Sequence, residues 1–103
     1  MVLASDVDFE VRYGVALNAK SSKEALTQLS GDKYPGVRQH VASHRRTPNA
    51  ILSMLSRDPV DYVRETVATN KRCEETLLRV LAKDPSQRVQ EVASKRLDQR
   101  KDP

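Results

Sequence analysis

A single step of 26 residues separates Val11-Arg12, Val37-Arg38 and Val63-Arg64, and Val89 continues the series. Leu26, Leu52 and Leu78 keep the same step, as do Leu29, Leu55 and Leu81, with Leu3 extending that second slot backwards. Asp6, Asp32, Asp58 and Asp84 share a further slot, while Val15, Val41 and Val67 are each followed by alanine. A period between about 20 and 50 residues marks stacked supersecondary units, not one globular core. Each unit buries its apolar face on its neighbours, so a chain 38% hydrophobic and 31% charged can still close a core.

The unit from Thr47 to Asn70 shows how one repeat folds. Thr47-Pro48 starts a helix, the hydroxyl accepting from free N–H groups and proline suiting the first helical position. Ile51, Leu52 and Leu55 then form an apolar stripe. Asp58 is expected to cap the following helix, with Pro59 in its first turn and Asp61 completing a capping box. Tyr62, Val63 and Val67 supply the second stripe, closed by Asn70. Elsewhere Ser21 with Glu24 forms another capping box, and Asp84-Pro85 with Gln87 starts the last helix.

The pattern predicts helices over 7–18, 22–31, 34–44, 48–57, 60–70, 74–83 and 86–99. The fold class is all-α: a right-handed helical-repeat solenoid of about 3.5 repeats. It forms one domain, with a half unit over 1–20, repeats at 21–46, 47–72 and 73–98, and a polar tail over 99–103. Helices this short are marginal alone and must be held by stacking.

The Asp and Arg slots recur together: Asp6 with Arg12, Asp32 with Arg38, Asp58 with Arg64. A structural role is preferred over a phosphate-binding arginine row, because each Arg is matched by an Asp in its own unit. The guanidinium is expected to reach its own turn or the turn of the next repeat, satisfying a carboxylate and carbonyls together. Gln90 replaces Arg in the last unit, as suits a terminal copy.

Leu52-x-x-Leu55-x-x-Asp58 followed by Val63-Arg64-x-x-Val67-Ala68-x-Asn70 resembles the leucine-rich repeat variant family, a relative in architecture of HEAT and armadillo arrays. The likeness runs from Leu3 to Leu97. It implies alternating α and 3₁₀ helices in a right-handed superhelix, so one helix of each repeat is expected to be partly 3₁₀. One founding member of that family holds an iron–sulfur cluster on an N-terminal cysteine group. This chain has only Cys73, so that cofactor is not carried over, and none is expected.

His40 and His44 stand four apart, a spacing that can place two imidazoles on a metal. The intervening Val41-Ala42-Ser43 lacks the glutamate of a zinc-protease motif. The repeat offers a simpler account, with His44 in the helix-end slot of Asn18 and Asn70, and His40 in that of Gly14 and Thr66. Cys73 shares the helix-start slot of Thr47, and the motif places no catalytic partner beside it. Gly14, Gly31 and Gly36 do not cluster as a phosphate loop would require. The expected chain is not an enzyme and binds no metal.

Arg45-Arg46 and Lys71-Arg72 occupy the same two slots, Lys20 fills the second slot one unit earlier, and Lys95-Arg96 lies near the corresponding place in the last. Stacking would align these loops along one edge, where a phosphate backbone could lie. The plainer account is that basic residues near helix C-termini complement the dipole. With 4% aromatic residues and no Trp, single-strand stacking platforms are scarce, so duplex or structured RNA fits better. Solenoids more generally present an extended face for protein recognition, and slots that vary between units are candidates for contact. Tyr13, Gln39 and Glu65 form one such set, Gly36 and Tyr62 another; Tyr13, Tyr34 and Tyr62 are the rigid anchors available. A protein partner is therefore the leading reading and nucleic acid the second.

The net charge of +4 favours acidic partners only mildly, since 14 acidic residues intersperse 18 basic ones. No apolar run reaches the length of a membrane span, and Met1–Asp6 lacks the pattern of a secretory signal. A lone cysteine fits the reducing cytoplasm. Met1-Val2-Leu3 matches Arg79-Val80-Leu81 in phase, so self-association through an uncovered N-terminal end is expected, while the polar C-terminal end reads as a cap.

Overall fold

The computed structural model describes residues 8–101, and among them the chain forms seven α-helices and no strand. These are α1 (Phe9–Leu17), α2 (Lys23–Leu29), α3 (Pro35–Ser43), α4 (Asn49–Leu55), α5 (Asp61–Thr69), α6 (Glu75–Leu81) and α7 (Gln87–Lys101). Each lies inside its expected span except α7, which continues to Lys101 and so takes up most of the expected tail. Arg100 explains the extension, because its Nη2 donates to the Cys73 carbonyl at 2.5 Å. The expectations placed on Leu3 and Asp6 fall outside the described residues.

The odd-numbered helices form a row in which α1 packs on α3, α3 on α5 and α5 on α7. The even-numbered helices pack chiefly on the odd helices flanking them. Between the two sets runs one apolar seam: Leu26, Leu52 and Leu78, then Leu29, Leu55 and Leu81, all at most 1% exposed. Val37, Val63 and Val89 are fully buried, as are Val41 and Val67 with Ala93 in their slot, so β-branched side chains fill the contact between neighbouring odd helices. Val11 departs from its slot at 50% exposed. It stands on α1, which has α3 on one flank and no helix on the other among the described residues.

Each arginine of the repeat spans two units. Arg38 Nε and Nη2 donate to the two carboxylate oxygens of Asp58 at 2.7 and 3.1 Å, and Arg64 makes the same fork to Asp84 at 2.8 and 3.1 Å. Arg12 Nε reaches Asp32 at 2.5 Å. The third contact goes home: Arg38 Nη1 donates to the Asp32 carbonyl and Arg64 Nη1 to the Asp58 carbonyl, both at 2.7 Å. The carboxylate an arginine answers is thus the next unit's, while its own turn receives a backbone bond. Gln90 makes only the home contact, donating to the Asp84 carbonyl. The hydrogen bond each makes to its aspartate, opposed by burial, holds Arg38 and Arg64 further in their charged form. Burial acts most strongly on Asp84 and alone would raise its pKa. The Arg64 hydrogen bond, the Ser86 N–H and the Arg64 charge together outweigh it, so the carboxyl titrates below its usual range.

Several helix starts differ from the sequence expectation. Asp58 does not cap α5; its Oδ1 accepts from the Val60 N–H at 2.9 Å, an Asx-turn that leaves Asp58 and Pro59 ahead of the helix. Asp32 and Asp84 do the same with Tyr34 and Ser86. The residue at the cap of α5 is Val60, without a side-chain bond, so the capping box with Asp61 does not form. An aspartate already committed to an arginine fork cannot also reach into the first helical turn. Ser22, not Ser21, caps α2 by accepting from the Ala25 N–H. Ser21 and Thr47 instead donate to the Val15 and Val41 carbonyls at 2.6 Å, and Thr47 is fully buried there. Pro48 takes the cap position of α4.

The expectation of a 3₁₀ helix in each repeat is also corrected. Helices α2, α4 and α6 are α-helical over seven residues each. Their first turns carry i−4 bonds, Leu26 to Ser22, Leu52 to Pro48 and Leu78 to Glu74, at 3.0 Å, beside i−3 bonds from Ile51 to Pro48 and Leu77 to Glu74 at 2.9 and 3.0 Å. Tighter i−3 bonds occur at their ends, as from Asp32 to Leu29, Asp58 to Leu55 and Asp84 to Leu81.

Candidate interaction surfaces

The loops after α1, α3 and α5 lie along one edge, because side chains tie each to the one before. His44 Nε2 meets the Asn18 carbonyl at 2.7 Å. Asn70 Nδ2 donates to the Ala42 and His44 carbonyls at 2.8 and 3.2 Å, and Arg96, in the same slot, donates to the Ala68 carbonyl at 2.9 Å. Asn18, His44 and Asn70 also accept from the backbone N–H two residues on, at Lys20, Arg46 and Arg72. Both nitrogens of His44 are therefore engaged. The Arg46 N–H only donates and the Asn18 carbonyl only accepts, so Nδ1 holds the lone pair and Nε2 the proton.

His40 is engaged elsewhere. Its Nε2 lies 2.7 Å from the Tyr13 hydroxyl, and the two rings meet edge-on at 4.7 Å. Among the described residues no group of three or more His, Cys, Asp or Glu side chains is placed to hold a metal ion. Cys73 is 1% exposed, and burial pushes its thiol pKa up, partly offset by the charges of Arg100 and Arg96. A buried thiol held in its protonated form is a poor nucleophile.

The basic side chains divide into two kinds. Arg72 is committed, its Nη1 donating to the Arg45 and Thr47 carbonyls at 3.0 and 2.6 Å. Lys20, Arg45, Arg46 and Lys71 are exposed and form no ion pair among the described residues. Two shallow cavities follow this edge. One, of about 290 Å³, is lined by residues including Leu17, Ala19, His40, His44 and Arg45; the other, of about 310 Å³, by Ser43, Arg45, Thr69, Asn70, Lys71 and Arg72. The second is the first moved along by one repeat, and Arg45 borders both.

The variable slots on the odd helices largely serve lateral bonds. Tyr13 bonds His40, Gln39 Nε2 donates to Thr66 Oγ1 at 3.2 Å, and Arg88 Nε donates to Glu65 at 2.7 Å. Tyr13 also packs against Phe9, whose ring meets Tyr34 at 4.7 Å. Tyr62 on α5 is 41% exposed and lies close enough to Arg38 to act on its charge.

Sequence reasoning did not single out the even-helix face. Met54 and Val80 are 46% and 62% exposed, and they occupy one slot of α4 and α6. A furrow of about 270 Å³ separates these helices, lined by residues including Ser53, Arg57, Glu74, Leu77 and Val80. The available signal was the apolar residue just before Leu55 and Leu81, in a slot where the first unit carries Gln28. Comparison with protein-family models, curated proteins and solved structures finds no match to this chain.

Proposed function

We propose that this chain is a non-catalytic helical-repeat module that binds another protein. The observation carrying this reading is the α4–α6 face, where exposed Val80 lines the furrow with Leu77 between Arg57 and Glu74, and Met54 is exposed in the corresponding slot of α4. An apolar centre within a polar rim of both charges is the anatomy of a protein interface. The stack is read as a right-handed solenoid of about 3.5 repeats, similar to leucine-rich repeat variant arrays. Equal intervals between the starts of α1, α3, α5 and α7, and the recurring Arg–Asp forks, support that reading.

The test is partner capture on the immobilised chain beside Val80→Asp and Met54→Asp variants that keep their helical circular dichroism. A protein held by the unmodified chain and lost from both variants supports the reading. Retention unchanged by either variant counts against it.

Self-association at the N-terminal end belongs to the same proposal, and the half-exposed Val11 supports it beside its fully buried counterparts. Sedimentation showing a strict monomer at high concentration would remove it. A cytoplasmic setting is supported by the single free thiol; among the described residues no helix is long and apolar enough to cross a membrane.

A further inference from the structure

We propose that the edge formed by the loops after α1, α3 and α5 binds the phosphate backbone of double-stranded nucleic acid. It uses a different surface from the α4–α6 furrow and does not rest on that reading.

The first observation is selective availability. Arg12, Arg38 and Arg64 are committed to aspartates, Arg72, Arg96 and Arg100 to backbone carbonyls, and Arg79 and Arg88 to glutamates. Arg45 and Arg46, like Arg57 in the α4–α6 furrow, make no ion pair among the described residues; what sets them apart is that with Lys71 and Lys20 they stand together on this one edge. Glu74, the acidic residue nearest them in sequence, lines the α4–α6 furrow. Lys20, Arg45, Arg46 and Lys71 are therefore not neutralised by ion pairs among the described residues, while Arg72 on the same edge holds the loops in place.

The second observation is repetition. The two cavities recur one repeat apart and share Arg45, so their cations follow the helix stack at a pitch of about 8–10 Å. The spacing is fixed in advance, because His44, Asn70 and Arg72 pin each loop to its predecessor. A rigid row of charge suits a rigid polymer of opposite charge. Duplex nucleic acid carries about one charge per 1.7 Å of axis, so a row two repeats long faces several phosphates.

The third observation concerns what the edge lacks. No Phe or Tyr lines either cavity, and His40 and His44 are engaged with Tyr13 and the Asn18 carbonyl, so unpaired bases would find poor stacking platforms there. The Ser43 and Thr69 hydroxyls already donate to the His40 and Thr66 carbonyls. The edge offers cationic donors on long exposed side chains and no free hydroxyl from Ser43 or Thr69, and that favours contact with phosphates. An acidic peptide would find only Leu17 as a large aliphatic contact.

The experiment is fluorescence anisotropy with a labelled DNA duplex of about 20 bp and an RNA hairpin, at about 50 and 200 mM salt. Unlabelled oligo-glutamate serves as competitor. The comparison is between the unmodified chain, Arg45→Ala/Arg46→Ala/Lys71→Ala, and Arg57→Ala, whose arginine is also exposed but lies in the furrow. The edge variant should bind at least tenfold more weakly and lose about 2–3 from the salt slope, while Arg57→Ala stays near the unmodified chain. Relative affinity for the two probes tells DNA from RNA. Absence of binding to both at the lower salt overturns the proposal. So does an equal loss in Arg57→Ala, or competition by oligo-glutamate as effective as by duplex at matched charge.

Discussion

Arg64 forks onto the Asp84 carboxylate of the next repeat while its remaining nitrogen donates to the Asp58 carbonyl of its own. The Asp84 side chain is 6% exposed and that of Arg64 14%, so the pair is largely screened from water. Removing the guanidinium strands the Asp84 charge in either variant, but a shorter donor can keep the home contact, as Gln90 does. Arg64→Ala should therefore cost roughly 3–5 kcal/mol and Arg64→Gln distinctly less, by urea denaturation. Equal losses in the two variants would mean that the home contact contributes little.

Stability should also depend on acid through Asp84. Its pKa is lower folded than unfolded, so its contribution is fully present above the unfolded value and is lost as pH falls through the folded one. The melting temperature should drop between about pH 5 and pH 2, and Asp84→Asn, though less stable at neutral pH, should show a shallower fall. Identical pH profiles would contradict the assignment.

His44 does the work that Asn70 does one repeat later, accepting from the N–H two residues on and donating back to the preceding loop. His44→Asn should remain within about 1 kcal/mol of the original, while His44→Ala loses about 2 kcal/mol through two unpaired backbone groups. Thermal melts of both variants check this. A costly Asn substitution would show that imidazole volume matters more than its bonds.

Cys73 occupies the slot where Ser21 and Thr47 donate to the carbonyl six residues back, yet its sulfur makes only a 3.9 Å contact with the Glu74 carbonyl. Cys73→Thr should be neutral or stabilising by up to about 1 kcal/mol, the new hydroxyl reaching the Val67 carbonyl. In the original chain iodoacetamide should label Cys73 slowly until urea unfolds the protein. Rapid native labelling would require an opening at the α5–α6 corner.

Legibility from sequence followed the kind of interaction. Apolar slots such as Leu52 and Val63 announce themselves by period, because burial on both sides leaves few acceptable residues. Gln90 could be recognised as a terminal substitute for the same reason. Asp58 lies two residues ahead of the actual cap, Val60, and a carboxylate before a helix looks alike in sequence whether it caps the helix or closes an Asx-turn. Thr47 before Pro48 has the sequence pattern of a cap, although its hydroxyl donates back into the preceding helix end. Met54 and Val80 escaped notice because a periodic pattern marks what repeats, and says nothing of which apolar side chain is left uncovered.

The side-chain ties between repeats have one further consequence. Their sequence separations run from 20 residues in the Arg–Asp forks to 28 in the Asn70 and Arg96 bonds, so each joins a unit to its immediate neighbour. Such a molecule is written in nearest-neighbour rules. Damage at one unit stays local, and another unit could be spliced into the middle without any distant residue having to change.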